Sequence, residues 1–165
     1  MHKLLEEEDT PKILIIHCGA NSIGLLSIKK FRNCVKYTIS QIVQLQPHTL
    51  IVWSEMLPRL TWRNMISNNS AESQRVRISS CISTFVTRKK RAACIRYNDI
   101  KQEQTQLFVD SVHLSKVGNS VFLNTLQGLY TPSYISVLHL PMIFPRVGEG
   151  SPIYPRVGMQ NRLLL

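Results

Sequence analysis

The sequence predicts an α/β fold in which a parallel sheet carries helices on both faces. Short, continuously apolar and β-branched runs, such as residues 13–16 and 49–53, indicate strands that are buried on both sides. Amphipathic helical patterns alternate with these runs, and the order strand, helix, strand favours a right-handed βαβ unit. The composition, with 44% hydrophobic and 18% charged residues, is typical of a globular domain.

Three strands are predicted in the order of the chain. The first, at 13–16, runs into a turn-like stretch at 18–22. The second covers 49–53, and a third, weaker strand is predicted at 93–97. A long connection at 54–70 follows the second strand.

Three amphipathic helices are predicted between and after these strands. Pro47 ends the first helix, Ser70 is a candidate N-cap of the second, and Ser115 is a candidate N-cap of the third. Their apolar faces comprise Ile28, Phe31, Val35, Ile39, Ile42 and Leu45; Val76, Ile78, Ile82, Phe85 and Val86; and Val117, Val121, Phe122, Leu126 and Leu129.

The chain divides into three segments. Residues 1–11 form a polar leader, 12–130 form one domain, and 131–165 contain a near-repeated pentapeptide at 144–148 and 154–158. We expect the last segment to be a loosely ordered tail. Within it, residues 134–138 have strand-like composition, so the alternative is that this segment packs back over an open edge of the sheet.

Several classes of protein are disfavoured by composition. The acidic start is not typical of a signal peptide, and no run reaches the roughly 18 apolar residues of a membrane span, so a cytoplasmic location is expected, with the nucleus as alternative. The four cysteines form no C-x-x-C pair and suit no zinc site. We expect reduced thiols and neither a metal nor another cofactor.

Net charge is the strongest bias in the composition. The chain carries a formal charge of +10, with a pI near 9.8, which favours contact with polyanions. The one dense cluster, Arg88, Lys89, Lys90 and Arg91, is a candidate contact for nonspecific, salt-sensitive nucleic-acid binding. The alternative is that these side chains form a solvated helix end, favoured by the negative helix C-terminus.

Two short motifs lie at the ends of predicted strands and loops. Gly19-Ala20-Asn21 follows the first strand, and Asp110-x-x-His113 precedes the last helix. They resemble the Gly-x-Asn-Asp and Asp-x-x-His blocks of the SGNH (GDSL-like) hydrolases, in the same order, over about residues 12–130. The sequences at 57–62 and 113–128 are similar to those of the SGNH-like domains of vertebrate retroelement-derived reading frames. Ser22 stands where the family pattern has Asp.

The resemblance implies the chemistry of a serine esterase. His113 would be the general base, Asp110 would orient it, and Asn21 would donate its amide to an oxyanion. Gly19 would allow the tight turn of the oxyanion loop. Taken singly, Asn21 also suits an ordinary turn, Asp110 suits a cap, and His113 suits a plain surface position.

The two motifs do not identify a residue of this chain that corresponds to the serine nucleophile of the family. It lies in a Gly-Asp-Ser block far ahead of Gly-x-Asn, and no serine precedes Gly19 or can be assigned downstream. The resemblance therefore implies an incomplete three-layer, flavodoxin-like SGNH sheet whose first two strands are missing. We expect a truncated esterase-lineage domain that is silent alone. Alternatives are an esterase half completed by another chain, and a basic nucleic-acid-associated module.

The missing strands would also alter the sheet. In the family order 2-1-3-4-5, their loss turns the strand at 12–17 into an open apolar edge. Such an edge invites pairing with another chain. We therefore expect self-association or a complementing chain at 12–17.

Overall fold

The computed structural model describes residues 11–128 and 135–138, and its core is a parallel sheet. Four strands are present in this part of the chain: β1 (Ile13–His17), β2 (Leu50–Ser54), β3 (Ala92–Ile95) and β4 (Ile135–Leu138). Their order across the sheet is β3-β2-β1-β4, and each neighbouring pair is parallel. The predicted α/β class with a parallel sheet is confirmed.

Helices cover both faces of this sheet. The helices α1 (Ile28–Leu45) and α2 (Asn68–Thr87) pack together on one face, and α3 (Lys116–Gln127) packs on the other. Because successive side chains of a strand point to opposite faces, Leu14 and Ile16 join the core under α1 and α2, whereas Ile15 joins the core under α3. The result is the expected three-layer arrangement.

Side-chain caps fix where the helices begin. Ser115 Oγ accepts the Gly118 N–H at 3.2 Å, which confirms the predicted N-cap of α3. The cap predicted for α2 is wrong: α2 begins one turn earlier, because Ser67 Oγ accepts the N–H of Ser70 at 3.4 Å. Ser70 is thus the third residue inside the helix, where its own N–H needs the acceptor.

Strand β4 occupies the edge of β1 that the sequence led us to expect open. Ile13–Ile16 pair in parallel with Ile135–Leu138, in a continuous register that sets Ile13 opposite Ile135 and Ile16 opposite Leu138. The expectation of an exposed strand at 12–17 is therefore wrong, because this later segment supplies the missing backbone partners. Self-association through β1 would require β4 to leave. The rest of the segment 131–165, and the leader up to residue 10, lie outside the described residues.

Three further findings concern the part of the chain that the structure describes. None of its helices combines the length and the apolar character needed to cross a bilayer. It brings together no group of three or more His, Cys, Asp or Glu side chains that could hold a metal ion. The four cysteines are all free thiols.

Candidate active site

The sequence motifs lie in loops that leave the carboxyl ends of the parallel strands. The loop after β1 carries Gly19 and Asn21, the loop after β2 carries Arg59, and the long connection after β3 carries Asp110 and His113. In open α/β sheets this edge is where ligands bind. The topology therefore places both motifs at the edge expected for a site.

Gly19 is required by both backbone geometry and space. Its φ is +105°, a left-handed value that L side chains rarely adopt. A Cβ at this position would lie 2.6 Å from Cζ of Phe31, a fully buried ring of α1. The residue starts a single turn of 3-10 helix over Ala20–Ser22, in which Ser22 N–H donates to the Gly19 carbonyl at 2.9 Å. This turn leaves Asn21 exposed at the surface, while Ser22 is buried.

Arg59 holds the amide of Asn21. Its Nη2 donates to Asn21 Oδ1 at 2.9 Å, and its guanidinium lies 5.3 Å from the ring centre of Trp62. Since an arginine can only donate, this contact assigns the oxygen of the Asn21 amide to Arg59 and leaves the NH₂ group as the donor of that amide. Partial burial, helped by nearby Arg63, lowers the pKa of Arg59. Arg59 belongs to the segment 57–62 whose sequence resembles the SGNH-like domains, but no sequence pattern indicated that it positions Asn21.

Asp110 and His113 form a closed local pair. Asp110 Oδ2 lies 2.7 Å from Nδ1 of His113, while Oδ1 accepts the backbone N–H groups of Val112 and His113 at 2.6 and 2.7 Å. These hydrogen bonds, chiefly that of the His113 side chain, lower the pKa of Asp110 from 3.8 to about 2. The carboxylate fixes Nδ1 as the protonated nitrogen, so that Nε2 is left to accept a proton.

Titration of Asp110 tests this pair directly. We expect its carboxyl group to titrate near 2 in the wild-type chain and at a value between 2 and 3.8 in His113→Ala, because the two backbone donors remain. Since the folded-state pKa is depressed, the stabilisation it provides is present above 3.8 and is lost as the pH falls through about 2. Carbon-detected NMR of the carboxyl resonances measures both values. An unchanged pKa in His113→Ala would show that the imidazole does not contact the carboxylate.

One loop connects the two motifs. The backbone N–H groups of Leu60 and Thr61 donate to the carbonyl of Ser111 at 2.9 and 3.1 Å. Their neighbour Arg59 holds Asn21, and Ser111 lies between Asp110 and His113. The loop after β2 therefore ties the Asn21 turn to the Asp110–His113 loop. This link depends on tertiary packing and has no local sequence signal.

No serine completes the pair in the described residues. No hydroxyl group of residues 11–128 hydrogen-bonds to His113. Ser54 does meet a histidine, His17, whose Nδ1 lies 2.8 Å from its Oγ, but Ser54 is fully buried and also shares a 2.5 Å hydrogen bond with the hydroxyl of Tyr97. Because no substrate reaches a buried Oγ, we interpret this cluster as a polar anchor of the strand ends.

Cys18 is a second candidate nucleophile, next to the turn at Ala20–Ser22. Burial raises the pKa of its thiol to about 12, so almost no thiolate exists at neutral pH. The thiolate is the nucleophilic form of cysteine. The Cys18 thiol is therefore not an activated nucleophile.

The basic cluster lies away from these loops. Arg88 is the C-cap of α2, and residues 88–91 lead into the amino end of β3, opposite the edge that carries the motifs. The structure therefore does not bring Arg88, Lys89, Lys90 and Arg91 together with Asn21, Asp110 and His113.

Comparisons with known proteins bear on the fold. No family model matches the chain, and no curated protein matches it. Among solved structures, a chain described as "The structure of a putative platelet activating factor from Streptococcus pneumonia" aligns with a TM-score of 0.61 at 16% sequence identity. The alignment covers 72% of this chain and 59% of that chain, so this chain spans about three-fifths of its neighbour's length. At this identity the likeness establishes a shared α/β fold.

Proposed function

We propose that this chain is a truncated SGNH hydrolase-like domain of esterase lineage that does not hydrolyse esters by itself. The carrying observation is the Asp110–His113 pair, which is formed at 2.7 Å, while no hydroxyl group of residues 11–128 contacts the other nitrogen of His113. The fold shared with the streptococcal structure fits this lineage. The same proposal includes a relationship to the SGNH-like domains of vertebrate retroelement-derived proteins, which rests on sequence similarity alone.

The geometry supports the assigned roles. In a serine esterase, the carboxylate orients the imidazole and the imidazole takes the proton of the nucleophile. Asp110 meets the first requirement with Nδ1, and the His113 side chain is 75% exposed, so its Nε2 face is open to approach. Because Arg59 binds Oδ1 of Asn21, the NH₂ group of that amide is left to donate, as an oxyanion donor requires.

The missing step is covalent attack. A serine or cysteine esterase forms its acyl-enzyme when the hydroxyl oxygen or the thiol sulfur attacks the ester carbonyl. An Asp–His pair without such a nucleophile cannot form this covalent intermediate. Ser54 is buried against His17 and Tyr97, and the Cys18 thiol stays protonated. The described residues therefore hold the supporting parts of a hydrolase site and not its reactive atom.

Ester turnover tests this proposal. We expect the purified chain to hydrolyse p-nitrophenyl acetate no faster than His113→Ala, within about twofold. The matched control is His48→Ala, because any exposed imidazole hydrolyses this ester slowly and His48 is likewise exposed. Equal rates in the two variants fit a silent domain. A loss of tenfold or more that is specific to His113→Ala would show that a nucleophile is present and that the proposal is wrong.

The alternative is that a second chain supplies the serine. The exposure of His113 and Asp110, whose side chains are 75% and 52% exposed, favours it, because a docking segment could reach both. Adding a segment that carries a Gly-Asp-Ser block should then produce turnover that His113→Ala abolishes. No turnover at any concentration of such a segment would leave the silent domain as the better account.

A further inference from the structure

A basic groove runs between α1 and α2, on the face of the sheet away from α3. It encloses about 780 Å³ and contains four cations, Arg32, Lys36, Arg77 and Arg88. The half-buried Phe85 is one of the residues that line it. We propose that this groove binds single-stranded nucleic acid, with its cations on the phosphates and Phe85 under a base.

The charges of the groove are not neutralised within the described residues. Arg32, Arg77 and Arg88 form no ion pair there. Glu72 is the single acidic residue of the two helices, and Arg75 already holds it through a bidentate contact. Uncompensated positive charge in a concave surface attracts a polyanion.

The cations are arranged along both walls. Arg32 and Lys36 are one turn apart on α1, whereas Arg77 and Arg88 are separated by about three turns, or about 16 Å, along α2. A row of charges of this length suits a chain of several phosphates better than one small anion. A folded protein partner would need a matching acidic ridge, whereas any nucleic acid presents phosphates in series.

The width of the groove and the aromatic ring that lines it favour a single strand over a duplex. Packed helices lie about 8–10 Å apart, so the depression between them is too narrow to seat a whole duplex. The ammonium groups of Lys36 and Lys89 lie over the Phe85 ring, 5.4 and 4.6 Å from its centre. A base stacks on this ring only when an ammonium group moves from the ring to a neighbouring phosphate. Cations beside an aromatic ring are the combination by which single strands are held without sequence readout.

A membrane surface is the competing polyanion. Binding to a bilayer interface uses a row of exposed large apolar side chains below the cations. Of the apolar residues in this groove, Val76 alone is exposed, at 49%. The observations therefore favour nucleic acid.

Fluorescence anisotropy with a labelled 20-nucleotide oligo(dT) and the full chain tests the groove. We expect binding that weakens with salt, with a slope of log K against log salt near −2.8 for four phosphate contacts. Arg32→Gln/Arg77→Gln should weaken binding at least tenfold at low salt and bring the slope to about −1.4. Lys36→Gln/Arg88→Gln should do the same, so the test does not rest on the folding of one variant.

The matched control removes equal charge outside the groove. Lys90→Gln/Arg91→Gln should weaken binding less than threefold, and thermal melting confirms that each variant is folded. An equal loss in the control and groove variants would overturn the proposal, because binding would then follow net charge alone. It would also be overturned by equal affinity for a 20-base-pair duplex, or by binding to phosphatidylserine vesicles without binding to the oligonucleotide. Neither result depends on ester turnover.

Discussion

A chain that ends at residue 130 is expected to lose stability and to self-associate. This truncation removes β4 and leaves the backbone of Ile13–Ile16 without its outer partner. Three or four lost hydrogen bonds correspond to about 3 kcal/mol. For a domain of this size, that loss lowers the Tm by roughly 10 °C. The exposed edge is continuous with buried Leu14, Ile15 and Ile16, and such an apolar edge pairs with other chains.

Thermal melting and size-exclusion chromatography measure the two effects. The matched control is a chain that ends at residue 142, which keeps Ile135–Leu138 and removes most of the segment beyond it. We expect the control to melt like the full chain and to elute like it. If both truncated chains behave alike, β4 does not stabilise the sheet, and the earlier expectation of an open β1 edge would be restored.

Gly118→Ala is expected to destabilise the chain by about 3 kcal/mol, because overpacking against backbone cannot be relieved by a rotamer change. A Cβ at Gly118 would lie 2.2 Å from the carbonyl oxygen of Leu107 and 3.1 Å from Cδ2 of Leu114. That same carbonyl accepts the N–H of Ser115 at 2.8 Å. Any shift of α3 therefore moves the loop that holds Asp110 and His113.

Two measurements separate this effect from helix propensity. In an ordinary helix, alanine is favoured over glycine by up to about 1 kcal/mol, so the sign expected here is opposite. Asn119→Ala, one exposed position further along α3, is the control and should leave the free energy of unfolding unchanged within about 0.5 kcal/mol. NMR should show displaced His113 ring signals in Gly118→Ala only. A variant as stable as the control would mean that α3 does not approach Leu107 this closely.

Local sequence was sufficient for the elements and for the Asp110–His113 pair. Continuous apolar runs placed β1, β2 and β3 to within a few residues, because strands buried on both faces have few polar positions. The pair was predictable as a local feature, since its members are three positions apart in one loop and Asp110 also accepts the backbone N–H groups of Val112 and His113.

The apolar periodicity of the helices predicted more buried side chains than the structure contains. Val76 and Val117 fall on the predicted apolar faces of their helices, yet they are 49% and 60% exposed. Both lie in the first half of a helix, where the neighbouring layer does not cover them. A periodic pattern predicts which side of a helix faces inward, but not how far the opposing layer extends.

Local residue patterns were enough to predict a parallel α/β domain, its helices and the positions of the two motifs. Four contacts became visible only in the folded chain: β4 closes the edge of β1, Arg59 holds Asn21, Ser54 is buried with His17, and four cations lie together between α1 and α2. All four have one cause. These contacts join residues far apart in the chain, and the pairing of distant backbone and charge is set by how the layers pack, which no local pattern of residues records.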